Sequence, residues 1–122
     1  MIESTGARGP ASEALLELAI EGWRIARLFS RVLTKLDAGD GARYANQVRY
    51  FTKRVEELLG ATGMRLINLE GQPYETGLPA KALNIEDFAP NDSLYVDQML
   101  EPVIIGPQGV VRTGTIMLRK VG

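Results

Sequence analysis

The chain has 122 residues, 45% hydrophobic and 24% charged, with a formal net charge of −1, a composition that suits one folded, domain-sized unit and not a disordered chain. It contains no Cys and no His, which excludes disulfides, thiolate nucleophiles, imidazole bases, the Ser-His-Asp triad and zinc sites of the usual type. No apolar run approaches the roughly 20 residues of a membrane span, and so small a net charge gives no bulk argument for nucleic acid.

Residues 1–11 have no apolar stretch of secretory type and read as a flexible leader, with the cytoplasm as the expected compartment. From Ser12 to Leu36 apolar residues recur in alternating steps of three and four. The series is Leu15, Leu18, Gly22, Ile25, Phe29, Val32 and Leu36, six of its seven places apolar. That spacing predicts a helix with a seam made to lie along other helices. A second row, Leu16, Ile20, Trp23 and Leu33, makes the stripe wider than one neighbour can cover. Ser12 is the expected N-cap, with Glu13 and Glu17 in the early turns. Gly22 costs about 1 kcal/mol in a helix interior, so a close crossing is expected there. Asp37-Ala38-Gly39-Asp40-Gly41 reads as a short interhelical connection.

A second helix is expected over Ala42–Leu59, with a seam of Tyr44, Val48, Phe51, Val55 and Leu58. So short a connection makes the two helices antiparallel neighbours, a hairpin over residues 12–62. One hairpin cannot bury a stripe this wide. Two hairpins in a four-helix bundle would, which predicts a homodimer with Leu15, Leu18, Gly22, Ile25, Phe29, Val32, Val48, Phe51 and Val55 at its interface. An ordinary core helix of a single domain is the alternative.

After Gly63 the hydrophobic period changes, and residues 63–122 read as a small all-β domain. Strands are expected at Met64–Leu69, near Ala82–Ile85, over Ser93–Leu100, at Pro102–Ile105, at Val110–Arg112 and over Thr115–Val121. Along Ser93–Leu100, Leu94, Val96 and Gln98 alternate with Tyr95, Asp97 and Met99. The fold class is therefore α+β, with an antiparallel sheet or small sandwich following the helices. Gly106-Pro107-Gln108-Gly109 lacks the GK[ST] end of a phosphate loop and reads as a hairpin turn. Asp92, Asp97 and Glu101 have no metal-loop spacing. Trp23 reads as packing and not as a platform for a base. No cofactor, metal or catalytic residue is expected, and nothing argues for an enzyme. Between Ala82 and Val111 there is no Lys or Arg against five acids, so an acidic surface suited to a basic protein partner is expected; a solvated loop face is the alternative.

The order of these parts resembles GrpE, the nucleotide exchange factor of DnaK-type heat-shock chaperones. The first helix LLELAIEGWRIARLFSRVLTKLD, the second helix and first strand VRYFTKRVEELLGATGMRLI, the segment GQPYETG and the end LYVDQMLEPVIIGPQGVVRTGTIMLRKV stand in the family's order. Glu75-Thr76-Gly77 stand where the family has Asp-Pro and a following His, Pro102-Val103 replace its Gly-Tyr turn, and the family's long N-terminal stalk has no counterpart. The resemblance implies a dimer built on a four-helix bundle, with a β domain on each protomer that wedges into the chaperone's ATPase domain and releases ADP. It also implies partner contacts at Tyr74, Met99 and Arg112. From the residues alone, Arg112 reads first as a strand-end salt bridge, with a partner contact as the second reading. A dimeric scaffold or adaptor of the same shape is the second reading. A nucleic-acid-binding hairpin using Arg24, Arg27, Arg31 and Lys35 is poorer, because acids balance those cations along the chain.

Overall fold

The computed structural model describes residues 9–122. Helix α1 (Pro10–Leu33) starts from Gly9 in extended conformation, with Pro10 in the first turn and no side-chain cap. Proline suits that place because its missing N–H would be unbonded there anyway. Ser12, expected as the cap, is inside the helix. Of the expected leader, residues 1–8 lie outside the described residues, while Pro10 and Ala11 are already helical.

The interhelical connection is also displaced from where the glycines suggest it. α1 ends at Leu33, and Thr34, Lys35 and Leu36 tighten into bonds to carbonyls three residues back. Asp37 then caps α2 (Ala38–Gly60), its Oδ1 accepting the Asp40 N–H at 3.0 Å. Gly39 and Gly41 therefore sit in the first turn of α2 and not in a loop. At Gly41 a Cβ would lie 3.2 Å from the Leu33 carbonyl oxygen, so the small residue permits the tight approach. Gly41 beside Leu33 and Gly22 beside Phe51 show the helices running antiparallel.

The two apolar rows of α1 differ in burial within the chain. The flanking row is the buried one, comprising Leu16, Ile20, Trp23 and Leu33 together with Ala19 and Ala26. The seam row is open: Leu18 is 69% exposed, Ile25 59%, Phe29 45% and Val32 45%. On α2 only Leu59 is buried.

The chain divides into two compact units, one ending at Gly63 and one beginning at Met64. The second unit holds two three-stranded sheets. In the first, β4 (Val103–Gly106) lies between β1 (Arg65–Ile67) and β5 (Gly109–Arg112), all antiparallel. In the second, β6 (Gly114–Lys120) lies between β2 (Ala80–Ala82) and β3 (Leu94–Glu101). β3 pairs antiparallel with β6, but β2 runs parallel to it, so the β region is mostly and not wholly antiparallel. Pro107 and Gln108 form the turn between β4 and β5, with Gly109 at φ +120°. A glycine is needed at that angle.

Strand β3 departs from the expected alternation. A register shift between Val96 and Gln98 changes its phase, so Leu94, Val96 and Met99 are the buried set, and Met99 joins the face it was expected to oppose. An inserted residue of this kind flips every side chain beyond it. The outer edge of β3 is covered by residues 70–74. The Gly71 N–H donates to the Val96 carbonyl, the Val96 N–H to the Gln72 carbonyl and the Tyr74 N–H to the Leu94 carbonyl, each at 2.9 Å. On the other side of β6, where β2 has ended, Asn84 continues the pairing with its side chain. Its Nδ2 donates to the Leu118 carbonyl and its Oδ1 accepts the Leu118 N–H, both at 2.9 Å. Val96, Met99, Val103, Ile104, Ile116 and Leu118 are buried in this unit.

Candidate functional site

Each unit presents an open groove at its surface. On the hairpin, six exposed apolar residues recur at seven-residue spacing, Leu18, Ile25 and Val32 on α1 and Tyr44, Phe51 and Leu58 on α2, while Leu28 and Tyr50 are exposed off these rows. Seven residues are close to two turns, so each set forms a stripe. Between the stripes runs an apolar groove of about 260 Å³ lined by Ile25, Ala26, Phe29, Gln47, Val48 and Phe51, which places both stripes on one face. Gly22 lies beside that groove, where a Cβ would be 3.0 Å from Phe51 Cζ. The expected close approach at Gly22 is thus a ring seated against the helix and not two backbones crossing.

Of the residues expected at a dimer interface, Leu18, Ile25, Phe29, Val32 and Phe51 are exposed on this face. Leu15, Gly22, Val48 and Val55 are half-buried. Tyr44 and Leu58, expected on the seam of α2, carry similar exposure. Trp23 is 3% exposed and takes no part in the face; the Arg27 guanidinium stands 5.5 Å from its ring centroid.

The second surface is the outer face of β3 and β6, a broad groove of about 660 Å³ with Phe88, Tyr95 and Met117 among its walls. Its charges are mutually neutralised. Arg119 meets Asp97 at 3.3 Å and Lys120 meets Asp92 at 3.5 Å. The expected acidic surface between Ala82 and Val111 is thereby reduced, because Arg119 and Lys120 come from far along the chain to pair with it. Glu86 and Asp87 remain exposed on the 3₁₀ turn Ile85–Asp87. The three carboxylates weighed as metal ligands have separate structural tasks. Asp92 also accepts the Ala89 N–H at 2.8 Å, and Glu101 accepts the Thr115 hydroxyl at 2.7 Å. Among the described residues, no group of three or more acidic side chains is placed to hold a metal ion.

The three residues expected to contact a partner do not form one patch. Met99 is 1% exposed. Its Sδ lies 3.4 Å from the Leu69 nitrogen, and its own N–H donates to Glu70 Oε2 at 2.9 Å. A side chain so enclosed is core, and the expectation of a direct Met99 contact is corrected accordingly. Tyr74 is half-buried and bonded to Leu94 at the start of β3, five residues and roughly 17 Å of strand from Met99. Arg112 is half-buried in the other sheet, opposite Ile104. The outer face of β3 and β6 was not read from the sequence. Its signal is the register that sets Tyr95 opposite Arg119 and Gln98 opposite Met117, which the strand residues do not reveal until their partner strand is known. No protein-family model, no curated protein and no solved structure matches this chain.

Proposed function

We propose that this chain is a non-catalytic, dimeric partner protein of GrpE type, which binds the ATPase domain of a DnaK-type chaperone through its β unit and promotes release of ADP. The observation that carries the dimer is the apolar face of the hairpin, with Leu18, Ile25, Phe29 and Val32 between 45% and 69% exposed in one protomer. Facing stripes from two copies make a four-helix bundle and remove that surface from water. The exchange function rests on the colinear resemblance and on the division into a helical unit and a β unit. Its energy source is differential affinity: a protein that binds the open nucleotide cleft better than the closed one shifts the population toward release, and one that binds both equally shifts nothing.

The test is release of a fluorescent ADP analogue from a DnaK-type chaperone of the same cell. Acceleration at micromolar protein is expected; an unchanged rate removes the exchange function. A specific observation favours a second reading, a dimeric scaffold without exchange activity. The residues carried over from the family are scattered, with Met99 in the core. Under that reading, a pull-down recovers a partner other than a chaperone, and substitution of Tyr74 or Arg112 leaves the capture intact.

A further inference from the structure

We infer that the connection end of the helical hairpin is a docking surface for the phosphate backbone of nucleic acid, separate from the apolar face. From Arg24 to Arg54 the chain holds eight cations and two acids. The other acids of the two helices, Glu13, Glu17, Glu21, Glu56 and Glu57, lie beyond that stretch, and Gly22 beside Phe51 sets Lys53 and Arg54 at its boundary, level with Glu21, with the remaining six cations nearer the connection. A helix of 24 residues is about 36 Å long, several times the roughly 10 Å over which salt screens charge. A net charge of −1 therefore conceals a strongly basic pole, and the whole-chain balance that argued against nucleic acid does not apply locally.

Helix stability does not account for this order. Acids early and cations late suit the dipole of α1, but the last turn of α2 carries Glu57 and no cation, the reverse of what a helix dipole favours. Four of the cations are occupied: Arg24 with Glu21, Arg43 with Asp40, Arg54 with Glu57, and Arg27 over the Trp23 ring. Arg31, Lys35, Arg49 and Lys53 have no ion pair among the described residues, and Arg49 donates to the neutral Asn46 side chain. Arg49 and Lys53, four residues apart, share a stripe of α2, while Arg31 stands in the last turn of α1 and Lys35 in the connection that follows it.

Arg49 also lines a groove of about 310 Å³ between the helices, with Ser30, Thr34, Ala42 and Ala45 among its walls. Small side chains there let a phosphate chain come close to the helix backbones. This groove shares only Val48 with the apolar groove, so a dimer and a polyanion do not compete. Two features select nucleic acid over an anionic bilayer. Six of the eight cations are Arg, whose planar fork matches phosphate oxygens. The groove also offers no large exposed apolar side chain to insert among acyl chains. No feature reads bases, so binding is expected to be independent of sequence.

Fluorescence anisotropy of the full chain with labelled DNA of about 20 nucleotides, single-stranded and duplex, tests this across salt concentrations. With four unpaired cations engaged, affinity should fall with a log–log salt slope of roughly −3 to −4. A variant combining Arg31→Gln, Lys35→Gln, Arg49→Gln and Lys53→Gln, checked by circular dichroism and light scattering for unchanged fold and mass, should bind at least about tenfold more weakly with a flatter slope. Three results would each overturn the inference: no binding at about 20 mM salt, unchanged binding by the folded variant, or capture by phosphatidylserine vesicles without binding to DNA.

Discussion

Three small or polar residues show how the same kind of change can have opposite outcomes. At Gly114 an added Cβ would lie 2.6 Å from Met99 Cε, 2.9 Å from the Glu101 carbonyl oxygen and 3.0 Å from Val103 Cγ2. The carbonyl is part of the β3 ladder and cannot move aside, so Gly114→Ala should cost about 1–3 kcal/mol through overpacking, read as a lowered urea midpoint. At Gly22 the neighbour is the tip of the Phe51 ring at 3.0 Å, and Phe51 is 43% exposed, so the ring can yield by a few tenths of an ångström. Gly22→Ala should therefore be neutral or stabilise by up to about 1 kcal/mol, the helix-propensity gain. Asn84 differs again, since it serves both polar groups of a backbone unit whose residue is 4% exposed. Asn84→Ala leaves the Leu118 N–H and carbonyl without partners and should cost about 2–6 kcal/mol, from one to three per buried unsatisfied group. Asn84→Asp should cost at least as much, because a carboxylate oxygen would then face the carbonyl.

At the scale of elements, the connection between the helices tests how the chain writes its boundaries. Two glycines within five residues read as a loop, yet they are helical because Asp37 satisfies the Asp40 N–H and starts the helix ahead of them. Asp37→Ala should cost about 1 kcal/mol. Gly39→Ala should stabilise by about 0.5–1 kcal/mol, since its Cβ would meet only Asp37 Oδ1 at 3.5 Å and the residue lies in a helix. Denaturant melts of the two variants should therefore move in opposite directions; a loop at Gly39 would give no gain. The existence of both helices was legible because their apolar periodicity runs through many turns. Which of the two rows of α1 is buried was not, since both have helical spacing and burial depends on what lies against them. In the β region the hydrophobic runs mark strands, while the parallel pairing of β2 with β6 and the shift in β3 depend on contacts between residues far apart in the chain. The placement of Met99 was misjudged for that reason. The carboxylates told a similar story, because their partners Arg119 and Lys120 arrive from another strand.

For the molecule as a whole, the decisive quantity is the fate of the hairpin's open apolar face. The groove lined by Ile25, Phe29, Val48 and Phe51 has the spacing of a bundle seam on both sides, so a second copy can fill it with the same residues that line it. A charge placed on this face distinguishes an interface from an idle surface. In one protomer Ile25 is 59% and Phe29 45% exposed, so a carboxylate at either position stays hydrated and should leave the fold intact. Within a bundle seam the same carboxylate would be stripped of water, at a penalty of several kcal/mol. Ile25→Asp combined with Phe29→Asp should thus lower the light-scattering mass from two protomers to one while the helical circular dichroism persists. It should also remove the dependence of the melting temperature on protein concentration that a dimer imposes. Ile20→Asp is the control, because Ile20 is 3% exposed and a charge there should unfold the hairpin outright. A wild-type chain that stays folded at the mass of one protomer in dilute solution would show that the face serves something other than a second copy.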